Sequence, residues 1–321
     1  MPRKKAFVTG ATGFLGANLV RELLAQKWDV TAFHRASSDL WRLKGLPIKL
    51  KAGSFSQHES LLTAIPDHTD AVFHVAACVS FWRGDDAQME QDNVQATKTL
   101  LAVALKRKVR RFIHTSSVAV YGFPKTKADE SFPHEGLKSH IGYFRTKAQA
   151  EVEVQKAVQE GLDAVILNPA NIIGPYDREH WGKSLIRVKE GNMPGSPPGA
   201  GSFVHAVEAA KAHVTAFTKG KKGENYILAG TDATYPEIFK TIEEICGLPQ
   251  KVKTAPAGML KVYAWASQVL SNIRGKRPEI TPEIVTLLCS QAFFDSSKAE
   301  KELGFKPRPI KEMLLDCLKT M

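Results

Sequence analysis

The sequence predicts an α/β protein: a doubly wound parallel sheet with a smaller α/β lobe in its C-terminal part. Three observations carry that reading. Short apolar runs alternate with longer segments of helical period through the first half of the chain. A glycine triplet, Gly10, Gly13 and Gly16, lies between the first apolar run and the first helical segment. After about Asn168 the texture changes to turn-rich stretches and further helices, in a chain of 321 residues. That length needs either one large core or two joined lobes.

The elements follow in order. Residues 6–9 read as a buried strand, and residues 14–26 as a helix with Leu15, Leu19, Leu23 and Leu24 on one face. Strands follow at 30–34, 48–51 and 71–75, then a long helix at 87–106 and a fifth strand at 111–115. A second long helix covers 143–160, and a sixth strand 164–167. Strands separated by helices of this length pair in parallel and are covered on both faces. Ligands of such a sheet lie beyond its carboxyl ends. Residues 191–201, Gly-, Ser- and Pro-rich, read as a loop without a regular element. Helical period returns at 204–218 and 235–246, with a strand at 226–228 between them. The expected division is a nucleotide-binding domain over 1–167, completed by elements returning from the second half, and a mainly substrate-binding lobe over 168–321.

Composition narrows the function classes. Hydrophobic residues make up 43% and charged residues 24%, which excludes wholesale disorder, collagen and coiled coil. No run reaches the roughly 18 apolar residues of a membrane-spanning helix. The basic start, Met1 to Lys5, leads into no apolar signal region, so a cytoplasmic protein is expected. Four distant cysteines and no CxxC imply reduced thiols. No HExxH or tight His/Cys cluster implies no metal. The net charge of +11 is dispersed and comes with no nucleic-acid motif, so no nucleic-acid partner is expected. Small anionic ligands or an anionic membrane surface remain as partners for it. Residues 259–270 are amphipathic at helical period. They are expected to cover the substrate cleft, with a membrane-surface helix as the alternative.

Each glycine of the segment Gly10-Ala11-Thr12-Gly13-Phe14-Leu15-Gly16 has a physical reason. Gly10 turns the chain off the strand, Gly13 admits a pyrophosphate, and Gly16 lets helix pack on sheet. The helix N-terminus adds free N–H groups and partial positive charge. This is the dinucleotide-binding pattern of a Rossmann sheet. The second strand ends in Phe33-His34-Arg35, with no acidic residue before Asp39 to accept ribose hydroxyls. Arg35 suits a 2′-phosphate through its planar fork. NADP(H) is therefore expected rather than NAD(H).

Tyr143 and Lys147 stand four residues apart on a helix, on one face. A free phenol titrates near 10. A neighbouring ammonium is expected to pull that value down and to fit Tyr143 for proton transfer. Ser116 and Ser117 fall where the fifth strand ends, and Ser117 could bond the same carbonyl oxygen as Tyr143. No GxSxG elbow surrounds them, which argues against a serine hydrolase.

Together these segments resemble the extended short-chain dehydrogenase/reductase family. The resemblance runs through the glycine loop, His74-Val75-Ala76-Ala77, Asn93-Val94, Thr115-Ser116-Ser117, Tyr143 with Lys147, Asn168-Pro169 with Ile172-Ile173-Gly174-Pro175, and Phe203-Val204-His205. It continues through residues 294–299 and 302–305. It implies that Ser117, Tyr143 and Lys147 form the catalytic set. Asn93 would hold a proton-relay water or the lysine helix. Pro169 and Ile172 would lie against the nicotinamide, and Thr115, Ala76 and Ala77 would border the cofactor. The family's aspartate after the third strand is replaced here: Ser54 and Phe55 stand where it would meet the adenine.

Within the family the resemblance points to the dihydroflavonol-4-reductase-like and 3β-hydroxysteroid-dehydrogenase-like branch. Its members reduce a ketone or aldehyde with an exchangeable cofactor. Phe81, Trp82 and Tyr176, with Val79 and Tyr121, are expected to wall a site for a mostly hydrophobic carbonyl compound. The alternatives are a nucleotide-sugar epimerase or dehydratase with bound NAD, for which Arg178 and Arg187 are candidates, and a non-catalytic NADPH-binding protein. The family contains monomers and homodimers.

Overall fold

The fold is set by strands apolar enough to be buried on both faces. A computed structural model describes residues 3–321, so Met1 and Pro2 of the basic start lie outside it. In chain order the first elements are β1 (Lys5–Thr9), α1 (Phe14–Ala25), β2 (Asp29–His34), β3 (Lys49–Ala52), α2 (His58–Ala64) and β4 (Ala71–His74). Next come α3 (Asp86–Met89), a π-helical turn (Glu90–Gln95), α4 (Ala96–Lys106), β5 (Arg111–Thr115), α5 (Gly142–Gln159) and β6 (Ala164–Pro169). The remainder comprises β7 (Asn171–Ile173), α6 (Trp181–Lys189), β8 (Ala200–His205), α7 (Ala206–Lys219), β9 (Asn225–Leu228) and β10 (Thr231–Thr234). It ends with α8 (Tyr235–Ile245), α9 (Ala257–Arg274), α10 (Pro282–Cys289), β11 (Gln291–Ala292), α11 (Ser297–Leu303) and α12 (Ile310–Leu318).

The large sheet has the order β3-β2-β1-β4-β5-β6-β9, and every pair in it is parallel. The order reverses between β1 and β4, which opens the crevice where ligands bind such sheets. Leu15, Leu19 and Leu23 of α1, Phe217 of α7 and Leu303 of α11 pack on one face. Leu61 of α2, Leu100 of α4 and Val154 of α5 pack on the other. The sheet is thus covered on both sides, as its continuous apolar strands require. A smaller sheet is built on β8, which pairs antiparallel with β10 and parallel with β7 and β11. Its core joins Leu185 of α6, Ile238 and Phe239 of α8, and Met313 and Leu314 of α12.

Three segments differ from the sequence reading. The turn-rich loop ends at Gly199, because Ala200 and Gly201 already belong to β8. The helix expected from residue 204 starts at Ala206, because Val204 and His205 are held in the strand by pairing with Ile172 and Ile173. Here tertiary pairing overrides a local helical period. The helix expected over 87–106 begins at Asp86 and contains the π turn. At α8 the local signals agree with the fold: Thr234 and Glu237 form a capping box, with a proline in the first turn.

The glycine loop shows how tightly sheet and first helix are joined. Gly10 has φ +70°, and a β-carbon there would stand 2.5 Å from the amide nitrogen of Ala76. A β-carbon on Gly16 would collide with the carbonyl oxygen of Gly10, whereas one on Gly13 meets that oxygen only at 3.3 Å. Gly10→Ala and Gly16→Ala should each cost about 1–3 kcal/mol in urea denaturation, and Gly13→Ala clearly less. Equal costs at all three positions would contradict this packing.

Candidate active site

The loop after β1 is shaped for an anionic group. Gly13 caps α1 in extended conformation with no side-chain cap, so the first-turn N–H groups face the loop. The loop is anchored by a side chain that sequence reasoning missed. Buried Arg42 donates to the carbonyl oxygens of Thr12 (3.1 Å) and Tyr176 (3.0 Å), tying the loop to the second half of the chain. A missing β-carbon at each of two glycines, with free helical N–H groups beside them, fits a dinucleotide pyrophosphate.

Beyond the ends of β2 and β3 lies a pocket of about 570 Å³ that brings Arg35, Ser54 and Phe55 together. The structure adds a residue that the sequence did not place there. Asp92, from the π turn, pairs with Arg35 at 2.7 Å and lines the same pocket. The acid that was sought after the second strand thus comes from a distant helix. Phe55 packs edge-on against Phe33, with ring centroids 5.2 Å apart.

A second cavity, of about 390 Å³, lies at the carboxyl ends of β4, β5 and β6. Phe14, Leu15, Ala77, Thr115, Ser117, Tyr143, Lys147, Pro169 and Ile172 all border it. The structure therefore gathers the expected catalytic trio around one space. Ser117 starts a short 3₁₀ turn, and its Oγ accepts from the Ala119 N–H at 3.2 Å while it borders the cavity. Lys147 is 2% exposed and donates to the carbonyl oxygen of Thr115 at 2.7 Å. Burial pulls its ammonium down to about 8, and Glu151 one turn further along α5 partly offsets this. Tyr143 is half-buried and packs against Phe81, with centroids 5.9 Å apart. Burial pushes its phenol up, and a hydrogen bond with Ser117 draws it back. The sign is opposite to the expected depression by Lys147, because desolvation outweighs the other influences on this ring.

Asn93 works through the scaffold. Its amide bonds both the N–H (2.7 Å) and the C=O (2.9 Å) of Cys78, and it donates to Thr146 Oγ1 at 3.1 Å. It thereby fixes the loop after β4 against the helix that carries Lys147. Behind the site, buried His74 bridges Thr9 and Thr97 at 2.8 Å each. Burial holds its ring down to about 3, so it is neutral at physiological pH. Ala76 flanks the glycine loop rather than the cavity.

Three expected wall residues lie elsewhere. Tyr176 stacks under Arg21, 3.9 Å from ring centroid to guanidinium, where the left-handed backbone at residue 176 (φ +70°) directs it. Trp82 folds onto Gly84 and Arg277. Tyr121 is fully buried between His134 and Phe294. Val79 and Phe81 do wall the cavity as expected, joined by Phe123, Phe144, Leu287 and Phe294. Leu287 and Phe294 lie 172 and 179 residues downstream of Thr115 at the end of β5 (287 − 115 and 294 − 115), too remote for any local sequence signal. Arg178 stacks on Trp41 at 4.0 Å, Arg187 is exposed on α6, and neither borders the cavity. Among the described residues no group of three or more His, Cys, Asp or Glu could hold a metal ion, and no helix is long and apolar enough to cross a membrane.

Residues 6–229 match the model of the NAD dependent epimerase/dehydratase family. Over 97% of this chain and 93% of its own length, a Synechocystis sp. protein named "Putative dihydroflavonol 4-reductase" is 34% identical. "Sterol demethylase protein B" of Methylococcus capsulatus is 33% identical over 97% of this chain and 96% of its own. The crystal structure of gox2253 superposes with a TM-score of 0.84 at 32% identity, covering 99% of this chain and 97% of that one. The chain belongs to the NAD dependent epimerase/dehydratase family, the extended short-chain dehydrogenases/reductases, in its dihydroflavonol-4-reductase-like and 3β-hydroxysteroid-dehydrogenase-like branch. It is accordingly an enzyme of nicotinamide-dinucleotide oxidoreductase or epimerase chemistry.

The buried lysine has a consequence for stability. In the unfolded chain its amine keeps the proton up to about 10.5, whereas the folded protein releases it at about 8. Between those values the unfolded state holds more protons, so folding stability gains with rising pH. Lys147→Met abolishes that gain. Urea denaturation from pH 8 to 10.5 should shift the difference between wild type and variant by up to about 3 kcal/mol in favour of the wild type. A flat difference would show that the buried lysine keeps its proton as long as the unfolded chain does, so that burial does not depress it.

Proposed function

We propose that the protein is an NADPH-dependent reductase of small, mostly hydrophobic ketones or aldehydes, with Tyr143 as proton donor. One observation carries the reading: Ser117, Tyr143 and Lys147 border a single cavity whose other walls are largely apolar, and no arginine lines it. Gly10, Thr12, Gly13, Phe14, Leu15 and Gly16 would hold the pyrophosphate. Ser54 and Phe55 would meet the adenine, with Ala76 beside the glycine loop. Ala77, Thr115, Pro169 and Ile172 would bound the nicotinamide end. The bound cofactor supplies hydride.

The chain's own groups supply the rest. Ser117 donates a hydrogen bond to the substrate oxygen and orients it. Tyr143 gives that oxygen a proton. Burial keeps the phenol protonated at neutral pH, the form a donor needs. Lys147 places a cation behind the tyrosine, where it offsets the negative charge left on the phenolate. Apolar walls exclude water from the reacting carbonyl. The similarity to proteins named as a dihydroflavonol reductase and as sterol-modifying enzymes supports an apolar substrate. A nucleotide-sugar substrate lacks its expected partners, because Arg178 and Arg187 lie outside the cavity.

Arg35 supports NADPH, since its planar fork keeps donors for a 2′-phosphate beyond the one that Asp92 takes. Asp92 is the observation that favours NADH, because a carboxylate in the adenosine pocket can accept ribose hydroxyls.

Two measurements test the reading. Tyr143→Phe should lower kcat for NADPH oxidation with a panel of aldehydes and ketones by at least about a hundredfold. Turnover close to wild type would remove the tyrosine from the chemistry, and redox-neutral conversion of a UDP-sugar would replace the reductase reading. Arg35→Ala should raise KM for NADPH at least about tenfold and leave KM for NADH nearly unchanged. An unaltered cofactor preference would defeat the role of Arg35.

A further inference from the structure

Helix α9 turns its apolar side chains to solvent. Ala264 and Ser271 are the residues it buries, while Val262 is 67% exposed, Trp265 66% and Ile273 77%. Met259, Val269 and Leu270 are exposed on the same side. Among the described residues, seven of the thirteen large apolar side chains that are exposed belong to this helix. At 3.6 residues per turn they fill an arc of about 160°. Lys261 and Arg274 stand at its two edges. A helix packed into a globular core shows the reverse arrangement.

The charge around this face is mainly positive, with Glu279, which accepts from the Tyr263 hydroxyl at 2.5 Å, as an exception. Residues 251–277 hold six cations, Lys251, Lys253, Lys261, Arg274, Lys276 and Arg277, and no aspartate or glutamate. All six are exposed. Arg277 pairs with Asp85 at 3.4 Å. The other five make no ion pair within 4 Å among the described residues. Lys261 and Arg274 thus border the apolar strip on the helix itself, and Lys276 follows directly after its end.

We propose that α9 docks the enzyme on an anionic lipid surface. The helix would lie in the plane of the interface, with Val262, Trp265 and Ile273 at the acyl boundary and the flanking cations on anionic headgroups. Charge selects this occupant over a second copy of the chain. Face-to-face packing of two such helices would bring two sets of unpaired cations within a Debye length, whereas anionic headgroups neutralise them. The position also suits an apolar substrate. Arg277 bonds Ser80 at 3.1 Å, and Thr281 bonds the Phe81 carbonyl at 2.8 Å. The docking face is thereby fixed beside the loop whose Val79 and Phe81 wall the cavity.

Co-sedimentation of the full chain with vesicles tests the proposal. The protein should pellet with vesicles of phosphatidylglycerol and phosphatidylcholine in equal parts, and partition at least about tenfold less onto pure phosphatidylcholine. Val262→Asp with Ile273→Asp, and separately Lys261→Glu with Arg274→Glu and Lys276→Glu, should each cut binding at least about tenfold. Both variants should keep the wild-type melting temperature, since every altered side chain is exposed. Absence of pelleting, or equal pelleting with both vesicle types, would overturn the proposal. A dimer in sedimentation equilibrium that Val262→Asp with Ile273→Asp dissociates would also overturn it and assign the face to a second copy.

Discussion

A single ammonium, that of Lys147, is removed from water at the centre of the sheet's carboxyl edge and bonded to the Thr115 carbonyl. Burying such a charge costs several kcal/mol unless its surroundings are fixed. The neighbouring structure supplies that fixity. Asn93 braces the helix at Thr146, and Glu151 one turn beyond Lys147 is itself fully buried and hydrogen-bonded. Glu151 accepts from Asn168 at 2.6 Å and from Asn225 at 2.9 Å, and Asn168 also bonds the carbonyl oxygen of Ser117 at 3.3 Å. This network links β6, β9, α5 and the serine turn. The lysine can be buried because the last strands of the sheet are locked around its helix.

Sequence made the large sheet and its glycine loop legible and left the cavity walls largely hidden. Gly16 is forced by contacts with Gly10 and Ala11, close in sequence, and Gly10 by its positive φ and by the approach of Val75 and Ala76, and their regular spacing with Gly13 is what the sequence shows. Tyr143 and Lys147 share a helix face for the same local reason. The cavity walls have no such signature. Phe123, Leu287 and Phe294 reach it from three segments brought together only by tertiary pairing, whereas Tyr121 and Tyr176, which look like wall residues by neighbourhood, are drawn away into packing contacts. Asp92 illustrates the same limit. It reaches Arg35 across 57 residues, the difference between positions 92 and 35, and only through a π turn that no periodicity announced.

Electrostatics at the site are governed by desolvation. Lys147 is drawn down, Tyr143 is pushed up, and His74, His114 and His213 are all held neutral by burial. Part of the chain's positive charge lies elsewhere, around α9.

The chain crosses between the two lobes five times, after β6, β8, β9, β11 and α11. Backbone bonds lace the crossings: Ala128 exchanges bonds with Phe293 and Asp295, and Glu130 receives the N–H of Ile227. A protein threaded in this way has no hinge. Its lobes are joined at five places, where enzymes with one or two linkers have far fewer ties. At the rim of the cavity the 79–85 loop is held to the α9–α10 segment by Arg83–Glu283 and Arg277–Asp85. Arg277 and Asp85 meet near the surface, where such pairs are weak, whereas Arg83 reaches a buried carboxylate in Glu283, so the rim is held unevenly along its length.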